Sequence, residues 1–272
     1  MNRSIASLLL QEADGTETNL ESIGLFLREF EVSPLIPRHE IEKTDGTDGQ
    51  VILNTTFESR SIRALFLLES VSKERFIVNR DKVFNLFNGK PFYHIVHTDD
   101  PYKRWHVKVA RQSFERIGNA ANVEINFISE SPYAESIITT LNQDNAEVVH
   151  QVETEEMIQY IFSQSTFMVW NDGDVDVDPT SNWSQLTIEF RGASDNLTLR
   201  NLTTGDEWSY GGSTVEGDVI RLEGVRSFKN GDSIFGDTNR KLLTLVPGRN
   251  DFEVTGATGP FSISFDFKFY YI

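Results

Sequence analysis

Only one long stretch of this 272-residue chain has a helical period, and almost everything else alternates with a period of two. The stretch runs from Ser72 to Val109. In its first half Phe76, Ile77, Val83, Phe84 and Phe87 recur at spacings of three, four and seven, which gathers them on one face of a helix. Asn79, Arg80, Asp81 and Asn85 fall on the other. Gly89 and Pro91 then stop the helix. From Phe92 the period becomes two, a polar turn at Thr98–Pro101 reverses the chain, and Trp105, Val107 and Val109 alternate back. One amphipathic helix feeding a two-stranded hairpin is a strong constraint: the helix must brace a sheet, because neither element can bury its apolar face alone. Truncating Phe84 should therefore unfold this half of the chain.

Upstream, Leu25–Pro34 suggests a first strand, broken by Pro34 and Pro37. Residues 1–20 read as a weakly structured lead-in. The tract Thr44–Gly49 holds two Asp-Gly pairs, which favour positive φ and tight turns. Two strand-like runs follow, Val51–Phe57 and Ser61–Leu68, so Asp45–Leu68 reads as a long β-arm. Downstream, Arg111–Asn122 reads as a loop, and Val123–Ser129 alternates as the closing strand. This organisation gives an N-terminal α+β domain over residues 1–136, a sheet or sandwich with a hairpin arm and one main helix.

Residues 137–166 lack a clear period, apart from a short helix expected over Val152–Ser165, and form the connecting segment. From residue 167 to 272 the chain is strand and turn: Leu186–Gly192, Asn196–Tyr210, Asp218–Gly224, Leu242–Gly248, Asn250–Gly256 and Phe261–Ile272. Runs of this length, punctuated by Gly, Asn and Asp, are the signature of an antiparallel β-sandwich. The last run places Phe261, Ile263, Phe265, Phe267 and Phe269 on one face, with Ser262, Ser264, Asp266 and Lys268 opposite.

The formal charge is −16, from 41 Asp and Glu against 25 Lys and Arg. Such a surface repels nucleic-acid phosphates, so a protein that grips DNA or RNA is disfavoured. The charge confers solubility, or lines a wall along which a polyanion slides without sticking. There is no Cys, which excludes disulfides and thiolate metal sites and points to a reducing compartment. The apolar run Leu8–Leu10 is too short for a signal peptide, and no membrane span is expected.

Motifs for chemistry are sparse. The acidic tract Asp172–Asp178 invites a calcium reading, but counting from Asp172 an EF-hand would need Gly at Val177 and an acid at Trp183. An entry strand with Val175 and Val177 inward fits better. His94 and His106 can meet across the hairpin, yet without Cys or a placed carboxylate a zinc site is not expected. There is no G-x-S-x-G, no GxxxxGK[ST] and no GxGxxG after a strand. No catalytic residue, metal or cofactor is assigned. Trp183, Trp208 and Tyr210 could stack on sugars or fill a sandwich core. The sequons at Asn182, Asn196 and Asn201 carry no weight without a signal peptide.

Taken in order, the segments Asp45–Glu69, Gly89–Val109, Val123–Ser136, Asn171–Gly192, Asn201–Trp208, Glu216–Gly224 and Leu242–Gly256 resemble the distal tail protein family of long-tailed, non-contractile phages (siphophages). The likeness covers most of residues 22–272, with 137–166 longer than a simple linker. It implies a virion structural protein with no enzymatic activity, made in the host cytoplasm and built into the distal tip of the tail. The family's N-terminal domains form a hexameric ring, and its C-terminal galectin-like sandwiches project outward. The ring joins the major tail tube protein to a tail-associated tip protein, the baseplate and the receptor-binding protein, and DNA passes through it. On turn chemistry and position, Asp45, Gly46, Asp48, Gly49, Phe57 and Arg60 are the expected ring-contact residues. The alternative is a carbohydrate-binding module that contacts host cell-wall glycans through Trp183, Trp208 and Tyr210.

Overall fold

The computed structural model describes residues 7–12, 15–43, 45–46, 48–142 and 158–272. The chain divides into two compact units, with the boundary between Ala134 and Glu135.

The first unit contains β1 (Leu8–Glu12), β2 (Glu17–Asn19), β3 (Leu25–Val32), β4 (Pro37–Glu42), β5 (Val51–Phe57), β6 (Ser61–Glu69), α1 (Lys73–Leu86), β7 (Phe92–His97), β8 (Lys103–Ile117) and β9 (Ala120–Ser129). Seven of these strands form one antiparallel sheet in the order β2-β1-β7-β8-β9-β6-β3. Its β3 edge folds back toward the other half of the sheet, since Phe30 of β3 stacks on His97 of β7 with ring centroids 5.0 Å apart. The sheet therefore curls round its own core. Alternation supplies that core: Ile62, Ala64, Phe66 and Leu68 from β6 meet Val123, Ile125 and Phe127 from β9, with Leu25, Tyr93, Ile95 and Val107.

The helix closes this core through Phe76, Val83 and Phe87, all fully buried. Phe87 lies 6.4 Å from Phe66, 6.4 Å from Tyr93 and 6.0 Å from Phe127 between ring centroids. Ser72 caps the start of the helix by accepting from the Arg75 N–H at 3.2 Å, and the Tyr93 hydroxyl donates to the Leu86 carbonyl at its end. The buried face differs from the expected one. Ile77 and Phe84 are exposed, Phe84 to 39%, whereas Asn79 is buried. At about 100° per residue, Phe76, Asn79, Val83 and Phe87 make one stripe, and Phe84 lies a step round from it. Asn79 is satisfied by the Ser70 hydroxyl at 3.3 Å. Space beside it is kept by Gly24 at φ 78°, where a Cβ would come within 2.5 Å of the Glu69 carbonyl.

Three other expectations are corrected. Residues 8–12 are not a loose lead-in: Leu8 and Leu10 are buried and β1 pairs with β7. Arg111–Asn122 is not a loop, because β8 runs on past a bulge between Val109 and Arg111 and turns tightly into β9. The arm is not Asp45–Leu68. Its strands are β4 and β5, while β6 lies inside the main sheet between β3 and β9.

The second unit begins within β10 (Ala134–Ser136) and comprises β11 (Ile161–Phe162), β12 (Thr166–Asn171), β13 (Leu186–Asn201), β14 (Glu207–Ser209), β15 (Ser213–Thr214), β16 (Val219–Glu223), β17 (Arg226–Lys229), β18 (Asp232–Ser233), β19 (Gly248–Phe267) and β20 (Tyr270–Tyr271). Of the helix expected over Val152–Ser165, residues 152–157 lie outside the described residues, and Ile161–Phe162 is strand. The long strands β13 and β19 are the frame. They pair antiparallel along their length, with register shifts between Gly192 and Thr198. On one side of the shifts β16 flanks β13, and on the other β14 flanks β13 while β12 flanks β19. Two strands thus serve both layers of a sandwich, bending at the bulges. Phe190, Leu197, Leu199, Trp208, Phe252, Ile263, Phe265 and Phe267 fill the space between.

Of Leu242–Gly248, expected as a strand, Gly248 opens β19, and residues 242–247 make one isolated bridge among the described residues, Val177 to Leu245. Buried Asn side chains take the place of its ladder: Asn201 donates to the Thr244 carbonyl at 2.8 Å, Asn171 to that of Leu245 at 3.2 Å and Asn250 to that of Val246 at 2.8 Å. The alternation after Phe261 ends early, because Lys268 is buried and its Nζ meets Glu135 Oε1 at 2.6 Å.

Two measurements check this packing. Phe87→Ala should cost about 3–5 kcal/mol in chemical denaturation, and Phe84→Ala less than about 2 kcal/mol, since the first removes a fully buried ring and the second a half-exposed one. In the second unit the Asp218 carboxyl is held down from 3.8 to about 2, by the Val215 N–H first, then by Asn230 and Lys229. A depressed acid contributes stability above its unfolded pKa that is lost as pH falls through the folded value. Asp218→Asn should therefore lower the melting midpoint at pH 7 and flatten its decline between about pH 4 and pH 2.

Candidate interaction surface

β4 and β5 form a two-stranded sheet of their own, in the register Arg38–Thr56, His39–Thr55, Glu40–Asn54 and Ile41–Ile52. Every residue of both strands is exposed. The register puts Phe57, Ile41 and Ile52 on one face and Val51 on the other, so both faces of the ribbon are apolar in part. Val51, Ile52 and Leu53 are each more than half exposed. A bulge between Glu40 and Ile41 shifts the register beside them. The turn at the tip uses Gly46 at φ 82° and Gly49 at φ 94°. Asp45 and Asp48 beside them are exposed.

Several contacts hold the root of the ribbon. Arg60 is buried, its Nε donates to the Ser33 carbonyl at 2.7 Å and its guanidinium stacks 5.2 Å from the Trp105 ring. Its backbone N–H donates to Ser129 Oγ at 3.0 Å. Ser33 and Ser61 clamp the two chain crossings with bonds of 2.9 and 3.0 Å. Phe57 meets the edge of Tyr133 at 6.4 Å. Of the six expected ring-contact residues, the four turn residues and Phe57 lie exposed on one ribbon, and Arg60 fastens its base. The larger apolar content, Ile41, Val51, Ile52 and Leu53, was visible only as an ordinary strand pattern, since alternation cannot say that both faces stay uncovered.

The aromatic residues singled out for sugar lie elsewhere. Trp208 is 1% exposed and its Nε1 donates to Ser227 Oγ at 3.2 Å, and Tyr210 is also buried. Both are core residues in this fold, and stacking on a sugar needs an open ring face. Trp183 is half-buried with its ring edge against Tyr270. His94 and His106 do meet, with ring centroids 4.8 Å apart, and His106 Nδ1 lies 2.6 Å from Glu130 Oε2. Among the described residues no cluster of His, Asp and Glu is placed to hold a metal ion. In the acidic tract, Val177 is buried as expected, and burial followed by Asp178 raises the Asp176 carboxyl. Asn201, at a sequon, is fully buried and committed to the core.

Residues 18–129 match the family model of the phage tail protein RIFT-related domain. No curated protein matches the chain in sequence. Among solved structures, the Dit protein of phage SPP1, described as a paradigm of the hub adsorption apparatus in phages that infect Gram-positive bacteria, is similar with a TM-score of 0.69. The identity is 15%, over 97% of this chain and 99% of that one. Chains of the phage p2 baseplate in its activated conformation, with strontium or calcium, give a TM-score of 0.46 at 11% identity over 97% of this chain and 98% of theirs. Residues 18–129 are thus similar to the phage tail protein RIFT-related domain, and the chain as a whole shares the fold of the phage SPP1 Dit protein.

Proposed function

We propose that the protein is a structural hub of a phage tail tip. In this reading residues 1–136 build a homo-hexameric ring, and the central channel lets DNA pass. The ring joins the tail tube to the tip protein, the baseplate and the receptor-binding protein at the distal end of the virion. Its work is mechanical rather than catalytic.

The observation that carries the reading is the β4–β5 ribbon. An isolated two-stranded ribbon is marginal in water. Its open edges present unpaired N–H and C=O groups, and its apolar side chains have no cover. A neighbouring copy of the chain would satisfy both, and cyclic closure would do so without runaway polymerisation. Arg60 suits this role from the inside, because a fixed root aims the ribbon at a defined angle. The net charge of −16 fits a channel that polyanionic DNA must traverse without adhering.

Mass photometry and electron microscopy test the proposal. The purified chain, alone or with tail-tube protein, should give a particle of about 186 kDa, six times the 31.0 kDa chain, with six-fold symmetry. Ile52→Asp with Leu53→Asp should leave the melting midpoint of the monomer near that of the parent and abolish the ring, since exposed positions change stability by only about 0.5 kcal/mol. A stable monomer under every condition, or an undiminished ring in the double variant, would refute it.

A further inference from the structure

The solvent face of the second unit carries a groove that the ribbon does not explain. A cavity of about 340 Å³ is lined by Arg191, Val219, Arg221, Glu223, Phe228 and Asn230. A second depression of about 390 Å³ adjoins it, shares Glu223, and is lined also by Ser184, Thr187, Arg226 and Asp266. Strand register explains the convergence. Glu189, Arg221 and Phe228 lie in one row across β13, β16 and β17, and Thr187, Glu223 and Arg226 in the next. Residues two apart share a face, so the two rows line one trough.

The walls are fixed in advance. The carboxylate of Glu189, only 16% exposed, receives Arg191 at 2.6 Å and Arg221 at 3.0 Å. Each guanidinium has five N–H donors and Glu189 takes two from each, so both forks are oriented with donors left over. Asn230, at φ 53°, accepts from the Val219 N–H at 2.8 Å and donates to Asp218 at 2.7 Å. Phe228 is half-buried beside Val219, which makes an apolar floor on the solvent side of a sheet.

Charge selects the ligand class. Arg191, Arg221 and Arg226 are cancelled by Glu189, Glu223 and Asp266 within a chain of net charge −16. A phosphate or carboxylate would gain from the arginines but meet Glu223 and Asp266, with no net attraction. A neutral polyol uses both kinds of group, because each hydroxyl donates and accepts. Its C–H face would lie on the phenyl ring. A cavity above about 300 Å³ suits a small ligand, and the adjoining one would take the next unit of a chain. We propose that this groove binds a neutral saccharide chain, with one ring over Phe228, hydroxyls accepting from Arg191 and Arg221, and Glu223 accepting from a hydroxyl. The Ser184 hydroxyl, buried without a protein partner among the described residues, stands in the second depression. The site belongs to the sandwich alone and does not depend on ring formation.

Saturation-transfer NMR and calorimetry on the full-length chain test it, with glucose, galactose, rhamnose and N-acetylglucosamine as mono- and disaccharides, and glycerol phosphate as the anionic probe. At least one neutral sugar should show transfer to its ring protons, and its disaccharide should bind more tightly. Phe228→Ala, Arg221→Ala and Glu223→Gln should each weaken binding about tenfold. Glu223 is exposed, so Glu223→Gln keeps the test valid if Phe228→Ala melts early. No transfer to any neutral sugar, preference for glycerol phosphate, or binding untouched in all three variants would overturn the proposal. Particle mass is read on the same samples. Sugar binding without rings would sink only the hub reading, and rings without sugar binding only this one.

Discussion

A β-strand has two edges, and both carry backbone groups that need partners. That requirement organises the chain. In the first unit seven strands answer it by pairing antiparallel and curling until β3 and β7 approach, and the helix covers the core through Phe76, Val83 and Phe87. In the second, β13 and β19 are long enough to serve two layers, and buried Asn201, Asn171 and Asn250 stand in for the ladder that residues 242–247 do not make. Among the described residues the β4–β5 ribbon is the long element left in the open. An element whose backbone and apolar side chains are both unanswered within its own chain is what the proposed hub reading takes as a surface for another.

Much of the architecture was legible because alternation is a direct record of burial. Leu186–Gly192 and Phe261–Phe267 alternate and lie where a sandwich needs them, and the His94–His106 pairing follows from the turn at Thr98–Pro101. Legibility fails where a pattern has two physical causes. Phe84 and Asn79 were exchanged because spacing alone does not fix the centre of a buried stripe, and a buried amide with a partner looks like a surface amide in sequence. Arg111–Asn122 reads as a loop because β8 there is mostly polar and exposed, with Phe114 as the one ring packed against the core. The arm was misplaced by one strand because Val51–Phe57 and Ser61–Leu68 share a composition, although one is wholly exposed and the other alternately buried.

The candidate sites divide in the same way. Turn chemistry located the ribbon tip, since two Asp-Gly pairs have few other uses. Arg60 could not be told from an exposed contact, because its place against Trp105 and Ser33 joins residues far apart in the chain. Trp208 and Tyr210 drew attention as aromatics, whereas the ring on the solvent face is Phe228, one of 20 phenylalanines. What distinguishes it is its cross-strand partner Arg221 and the carboxylate of Glu189 behind that, which only register reveals.

The central claim is that the ribbon is completed by another chain, and amide hydrogen exchange reads it most directly. In the isolated monomer the N–H groups of residues 38–42 and 51–57 that point away from the partner strand should exchange near the rate of unstructured peptide, while β6 and β9 are protected. On assembly those same edge groups should slow by at least about a hundredfold, with little change in β6 and β9. Edge groups already protected in the monomer, or still unprotected in the assembled particle, would contradict the account.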